Sequence, residues 1–324
     1  MKYVLSVFAG AASYGVLSTF VVLAYGQGYA LGEVVGSQML IGFLLCALAA
    51  GMMRRKERKA NVLPGGGERS RSKTAIAAAG LTWRKRLLLM AAGAPTAVTG
   101  LVYYESLRYI PASLAILLLF QFTWISVLIQ AFRQRKRPGA LIGISLAVLL
   151  GGTLLAAGIF EQGIGRLHWL GVLLGFLAAI SYSLFILFSG KAVPEAPPAA
   201  RSMWMIAGGL LLVFALFPPE FLWNGKLLGT LPLFGLLLGF FGAFLPPILF
   251  AYGVPHIGEG LAGILGAAEL PVAVLLSSVV LHEEVSWLQW AGVLLVLLGV
   301  ALPEWLRGWR ARSQIGHSGH ARGA

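Results

Sequence analysis

A chain of 324 residues that is 58% hydrophobic and only 11% charged departs from soluble domains, in which about a quarter of residues carry charge. Its single cysteine and lack of any aspartate exclude an internal disulfide, a cysteine-based zinc or iron–sulfur centre, and the aspartate-rich magnesium motifs of membrane prenyltransferases and P-type pumps. The net charge of +13 comes from basic residues set between apolar runs, where they fix topology and meet anionic headgroups; nucleic-acid binding is not needed to explain them.

Apolar runs of about twenty residues, each able to cross about 30 Å as a helix, recur along the chain. They place ten spans at 3–26, 30–53, 86–107, 110–132, 138–158, 166–189, 199–217, 229–253, 258–280 and 285–306. The first is too long, and followed by too many others, to be a cleaved signal peptide. Between the second and third lies a basic cytoplasmic loop, 54–85, expected to be flexible; the glycines of "RRKERKANVLPGGGERSRSK" (54–73) lack the Gly-Lys-Ser/Thr ending of a phosphate-binding loop. With the amino terminus inside, 22 of the 25 Lys and Arg residues fall inside, and Arg108, Arg166 and Lys226 fall outside. Both termini are therefore expected in the cytoplasm, the second as a basic tail, 307–324.

The chain also repeats itself. "GAASYGVLSTF" (10–20) resembles "LAAISYSLFIL" (177–187), and "YYESLRYIPASLAILLLFQFTW" (103–124) resembles "AYGVPHIGEGLAGILGAAELPV" (251–272). Tyr14 then corresponds to Tyr182, Tyr104 to Tyr252, and Gln121 approximately to Glu269. Five spans per half is odd, so the second half enters from the opposite side. The expected fold is an all-α integral membrane protein built as two inverted five-helix repeats, 3–158 and 166–306, with a solute site near the midplane between them.

Candidate site residues are the polar groups inside these spans. Glu269 stands at the centre of span 9, where a charge costs roughly 2.5–3.5 kcal/mol on insertion scales. It reads as a proton-coupling carboxyl or an anchor for a substrate's amino group; alternatively, it satisfies a turn that Pro271 distorts by removing a backbone hydrogen bond. Tyr14, Ser18, Gln38, Thr99, Tyr103, Gln121, Thr123, Trp124, Tyr182 and Tyr252 are candidates to line a cavity for a small zwitterionic or mildly hydrophobic solute. Pro95, Pro246, Pro247 and Pro271 are candidate bending points. Glu33, Glu105, Glu283 and Glu284 read as exposed carboxylates at span ends. "GVLLG" (171–175) and "GLLLG" (235–239) have the spacing that lets helices approach closely.

"SLRYIPASLAILLL" (106–119) and "AAELPVAVLLSSVVLHEEVSWLQWAGVLLVLLGVAL" (267–302) resemble the drug/metabolite transporter superfamily, specifically its ten-span EamA family. The resemblance runs over about 3–306. Pro271 and Glu283 or Glu284 match the family's mid-helix proline and following glutamate. Members that resemble amino-acid exporters also carry a glutamate shortly before that proline, as at Glu269. Two departures stand out: span 4 reads "FQFTW" (120–124) where a proline is common, and Gln38 stands where span 2 often has an arginine. The resemblance implies a carrier of small organic solutes in the cytoplasmic membrane, most often an exporter, with no cofactor and no catalytic or metal site.

The leading expectation is export of a small metabolite, an amino acid or related amine, by alternating access, with proton exchange left open. Uptake of a sugar or other neutral solute is the alternative. A membrane enzyme is a remote one, because "HEEVSWLQW" (282–290) has Leu288 where a Glu-Glu-x-x-x-Arg protease has arginine, and His168, His256 and His282 lie at span edges. A passive channel is the last. The expected partners are a small-molecule substrate, membrane lipids and, if coupled, protons.

Overall fold

The computed structural model describes residues 1–61, 81–135, 140–156, 168–189, 192–193, 196, 198–257, 265–266 and 268–299. The basic loop beyond 61, most of the link between the halves, the first residues of span 9 and the tail lie outside these. Among the described residues there is no strand. Thirteen helical segments follow one another: α1 Lys2–Gly15, α2 Leu17–Gly26, α3 Leu31–Asn61, α4 Trp83–Ser106, α5 Ala112–Leu119, α6 Phe122–Gln134, α7 Ala140–Ala156, α8 Trp169–Ser189, α9 Pro198–Leu216, α10 Leu231–Leu238, α11 Leu245–Ile257, α12 Glu269–Val280 and α13 Trp287–Gly299. Lys2–Gly26, Leu31–Met53, Trp83–Ser106 and Leu231–Phe250 are long and apolar enough to cross a membrane, and shorter apolar helices accompany them.

Several helices break partway along, each for a local reason. α1 and α2 meet at Val16, where Gly15 lies so close to α12 that a Cβ would stand 2.6 Å from the Glu269 carbonyl. α5 and α6 part at Phe120–Gln121 without a proline. The Gln121 N–H turns to the Leu118 carbonyl (3.1 Å), and the freed Leu117 carbonyl accepts the Gln121 side-chain amide instead (2.8 Å). α10 passes into α11 through a π-helical turn, Gly239–Phe244, just before Pro246 and Pro247. Such wide turns absorb helix irregularities and are frequent at functional sites.

Helices from the first and second parts of the chain pack directly against one another. α4 crosses α9 with backbones almost touching: a Cβ on Gly93 would stand 2.0 Å from the Met205 carbonyl oxygen, and one on Gly208 2.1 Å from that of Met90. α3 meets the α10–α11 segment in the same way, Gly42 against Ala243 and Gly239 against Gln38. Small residues at such crossings substitute packing for the hydrophobic drive that lipid removes. α5 sits at the centre, buried from Ala112 to Leu119.

The two ends of the bundle differ. At the end opposite the amino terminus, Lys226 pairs with Glu33 (2.5 Å), Tyr29 bonds Thr230 (2.9 Å), Thr230 donates to Gln27, and Tyr25 donates to the Tyr104 carbonyl (3.1 Å). Glu283 is not a free surface carboxylate as expected: its two oxygens accept the backbone N–H groups of Ala112 (2.6 Å) and Ser113 (3.1 Å), capping α5. Glu105 pairs with Arg108 (3.5 Å). At the amino-terminal end, Tyr3 stacks on His256 with centroids 3.8 Å apart and meets Tyr252 at a tilt at 5.2 Å.

Candidate functional site

Among these helices lies a cavity of about 140 Å³. Its walls come from α1, α3 and α4 of the first half and from α8, α9 and the α10–α11 segment of the second. Tyr14 and Tyr182, which correspond in the sequence repeat, both line it. So does Gln38, with Met39 beside it on α3 and Met205, Ile206 and Gly209 on α9. Gly93 and Thr96 on α4 face Gly242, Ala243 and Pro247 across the space, and Phe185 and Ser202 complete the wall.

Two hydrogen bonds brace this ring of helices in matching fashion. Ser13, next to Tyr14, donates to the Phe241 carbonyl inside the π-helical turn (2.7 Å); Ser181, next to Tyr182, donates to the Pro95 carbonyl (2.8 Å). Each serine thereby ties the Tyr-bearing helix of one half to the bent helix of the other. Pro95 also receives the Thr99 hydroxyl (2.8 Å), the back-bond expected for a helical threonine. The Cys46 thiol approaches the Ala243 carbonyl (3.8 Å).

The polar groups of the site are unevenly satisfied. Gln38 is only 7% exposed, and its carbonyl oxygen Oε1 has no hydrogen-bond partner. Its amide nitrogen lies on the Gly242 side, where a Cβ would stand 3.0 Å from Nε2. Ser18 and the Tyr103 hydroxyl are both buried and approach each other without meeting hydrogen-bond geometry. Buried polar atoms in this condition are rare and each asks for a reason.

Glu269 lies beside this cavity without lining it. It is half-buried and opens α12, so Pro271 occupies the first helical turn. Leu265 and Gly266 just before α12 are also helical, and the Ala268 N–H bonds the Leu265 carbonyl (3.1 Å). A carboxyl at a helix amino terminus also meets the favourable end of the helix dipole. Its electrostatic neighbours are Tyr14, Tyr103 and Tyr182. The ion pairs among the described residues, Arg108–Glu105 and Lys226–Glu33, lie at the far end of the bundle and leave it without a cation.

Other sequence candidates lie elsewhere. Gln121 is 2% exposed and fully engaged: beyond Leu117 it donates to Thr153 (2.8 Å) and accepts from the Trp124 indole (2.8 Å). Gln121 and Trp124 therefore mend the α5–α6 break and do not face the cavity. The side chain of Thr123 lies outside the described residues. Tyr252 stands exposed at the amino-terminal end, and Pro246 lies beside the cavity-lining Pro247. The cavity residues that sequence reading passed over, Met39, Thr96, Phe185, Ser202, Met205 and Ile206, are apolar or singly hydroxylated in chains full of such residues. No group of three or more His, Cys, Asp or Glu residues able to hold a metal occurs among the described residues.

Comparison with known proteins places this arrangement. Residues 169–303 match the EamA-like transporter family. An uncharacterized transporter of Synechocystis sp. is 25% identical over 202 residues, 61% of this chain, and the chain spans 60% of that relative's length. A crystal structure described simply as that of a protein covers 94% of this chain and 96% of its own, with a TM-score of 0.60 at 19% identity; at that identity the likeness is one of fold.

Proposed function

Since residues 169–303 match the EamA-like transporter family and a transporter is 25% identical over 202 residues, we propose that the chain is a carrier that exports a small organic metabolite, an amino acid or related amine, by alternating access of two inverted five-helix halves. The observation that carries this reading is the cavity lined from both halves by the corresponding Tyr14 and Tyr182. The matched Ser13 and Ser181 bonds support the inverted repeat.

The corresponding tyrosines of the second repeat pair support a state closed at one end. Tyr104 is 3% exposed and Tyr252 48%, although symmetry would give them equal surroundings. The Lys226–Glu33 and Glu283–α5 contacts hold Tyr104's end shut. By the charge distribution, that end faces outward and the other end faces the cytoplasm. Exchange of the two environments would open the outer end and bury Tyr252. Glu269, next to the cavity and unpaired, is the residue we assign to substrate attraction or coupling.

The test is release of metabolites from cells that carry wild-type protein, Glu269→Gln or no protein, with membrane levels matched. A compound released by wild type alone supports export with Glu269 in the mechanism. Equal release by wild type and Glu269→Gln keeps the exporter and returns Glu269 to a structural role. No difference from empty cells overturns export and leaves uptake of a neutral solute as the reading to examine.

A further inference from the structure

The chemistry of the cavity narrows what it accepts. Among the described lining residues there is no lysine, arginine or histidine. A bound carboxylate would find no cation there, and an unpaired charge removed from water is strongly disfavoured. Arg86 does not serve: it donates to the Leu81 carbonyl (2.8 Å) and lies over the Trp204 ring. Arg201 precedes the lining residue Ser202 without lining the cavity itself.

Two features of the site favour a positively charged donor. Gln38 Oε1 is a buried acceptor with no partner; its side chain lines the cavity, and the amide must turn to present that oxygen to an occupant. The Tyr14 and Tyr182 rings line the cavity, and an aromatic ring attracts an ammonium group. Apolar surface from Met39, Met205, Ile206 and Phe185 supplies the remainder of the wall. At about 140 Å³ the space is close to the ~150 Å³ cavity that holds one benzene, so its occupant is one ring or a short chain with a small head.

We propose that this cavity selects small protonated organic amines that lack a carboxylate, with the amine donating to Gln38 Oε1 between the Tyr14 and Tyr182 rings and the apolar body lying against Met39, Met205 and Phe185. This rests on the transport reading above and divides its substrate class, setting amines ahead of free amino acids.

The test is counterflow into proteoliposomes that contain the purified full chain at neutral pH, with four probes that share one ring: phenethylamine, phenylalanine methyl ester, phenylalanine and 3-phenylpropionate. The ester is larger than phenylalanine but lacks its carboxylate, so it separates charge from size. Phenethylamine and the ester are expected to exchange at least tenfold faster than phenylalanine, with 3-phenylpropionate at the empty-liposome level. Gln38→Glu is expected to lower the half-saturating phenethylamine concentration several-fold, and Gln38→Lys to abolish amine exchange, in variants that remain monodisperse and reconstitute to equal amounts. Phenylalanine exchanging as fast as phenethylamine overturns the amine assignment and leaves the transport reading standing. So does Gln38→Glu that reconstitutes normally yet does not improve amine exchange. Absence of exchange for all four overturns the amine assignment, and the metabolite-release experiment then decides separately whether transport itself survives.

Discussion

Replacing Gly93 with alanine tests the α4–α9 crossing directly. The added Cβ would stand 2.0 Å from the Met205 carbonyl oxygen and 2.5 Å from its carbon. Ordinary contact begins at 3.4 Å, so the two backbones must separate by roughly 1.4 Å. A backbone carbonyl cannot rotate aside as a flexible side-chain tip can, and overpacking of this kind costs about 1–3 kcal/mol. Against it stands the helix-propensity gain of alanine over glycine, about 1 kcal/mol. Gly100, seven residues further along α4, isolates that gain, because a Cβ there meets nothing within 4 Å. Gly100→Ala is therefore expected to stabilise slightly and Gly93→Ala to destabilise, a gap of about 1–3 kcal/mol set by packing alone. Thermal unfolding of detergent-solubilised protein, followed by tryptophan emission, reads the gap as several degrees between the two variants. Gly208→Ala, which would press on Met90 from the other helix at 2.1 Å, should match Gly93→Ala. If Gly93→Ala proves as stable as Gly100→Ala, the close crossing is wrong, and with it the shape of the cavity that Gly93 and Met205 both line.

Further outcomes follow from individual contacts. Glu283→Ala removes the acceptor of two α5 backbone N–H groups and is expected to cost about 1–2 kcal/mol, whereas Glu284→Ala, at an exposed position, should stay within about 0.5 kcal/mol; chemical unfolding compares the two. Ser13→Ala and Ser181→Ala each delete one inter-helix bond and should cost a similar amount, about 0.5–1.5 kcal/mol; clearly unequal losses in thermal unfolding would refute the matched bracing. In a background where Cys46 is replaced by alanine, a cysteine substituted for Tyr252 is expected to react quickly with a polar maleimide. One substituted for Tyr104 should react slowly, and equal rates would refute a state closed at one end.

The sequence exposes some of this molecule more readily than the rest, for physical reasons. Helices were legible because long apolar runs leave few alternatives in lipid, and Tyr14, Gln38 and Tyr182 were legible because polar groups contrast with such runs. Met39, Met205 and Ile206 offer no contrast, so only their spatial convergence reveals them as cavity wall. Gln121 was drawn toward the site by its correspondence with Glu269, yet a glutamine can also mend its own helix, and here it closes the α5–α6 break that a proline would have left open. Glu283 looked solvent-facing because its partners, Ala112 and Ser113, lie some 170 positions away in the chain.

The length of α3 has a consequence of its own. The helix continues eight residues past Met53, the last residue of its apolar stretch, which carries its backbone about 12 Å further along the same axis. That extension bears the whole run "RRKERK" (54–59), so this basic stretch continues the helix as a spar longer than the Debye length of about 8 Å in physiological salt. The spar springs from the same helix that holds Gln38 in the cavity wall, so lipid charge and ionic strength can exert leverage on a solute pocket that neither of them touches.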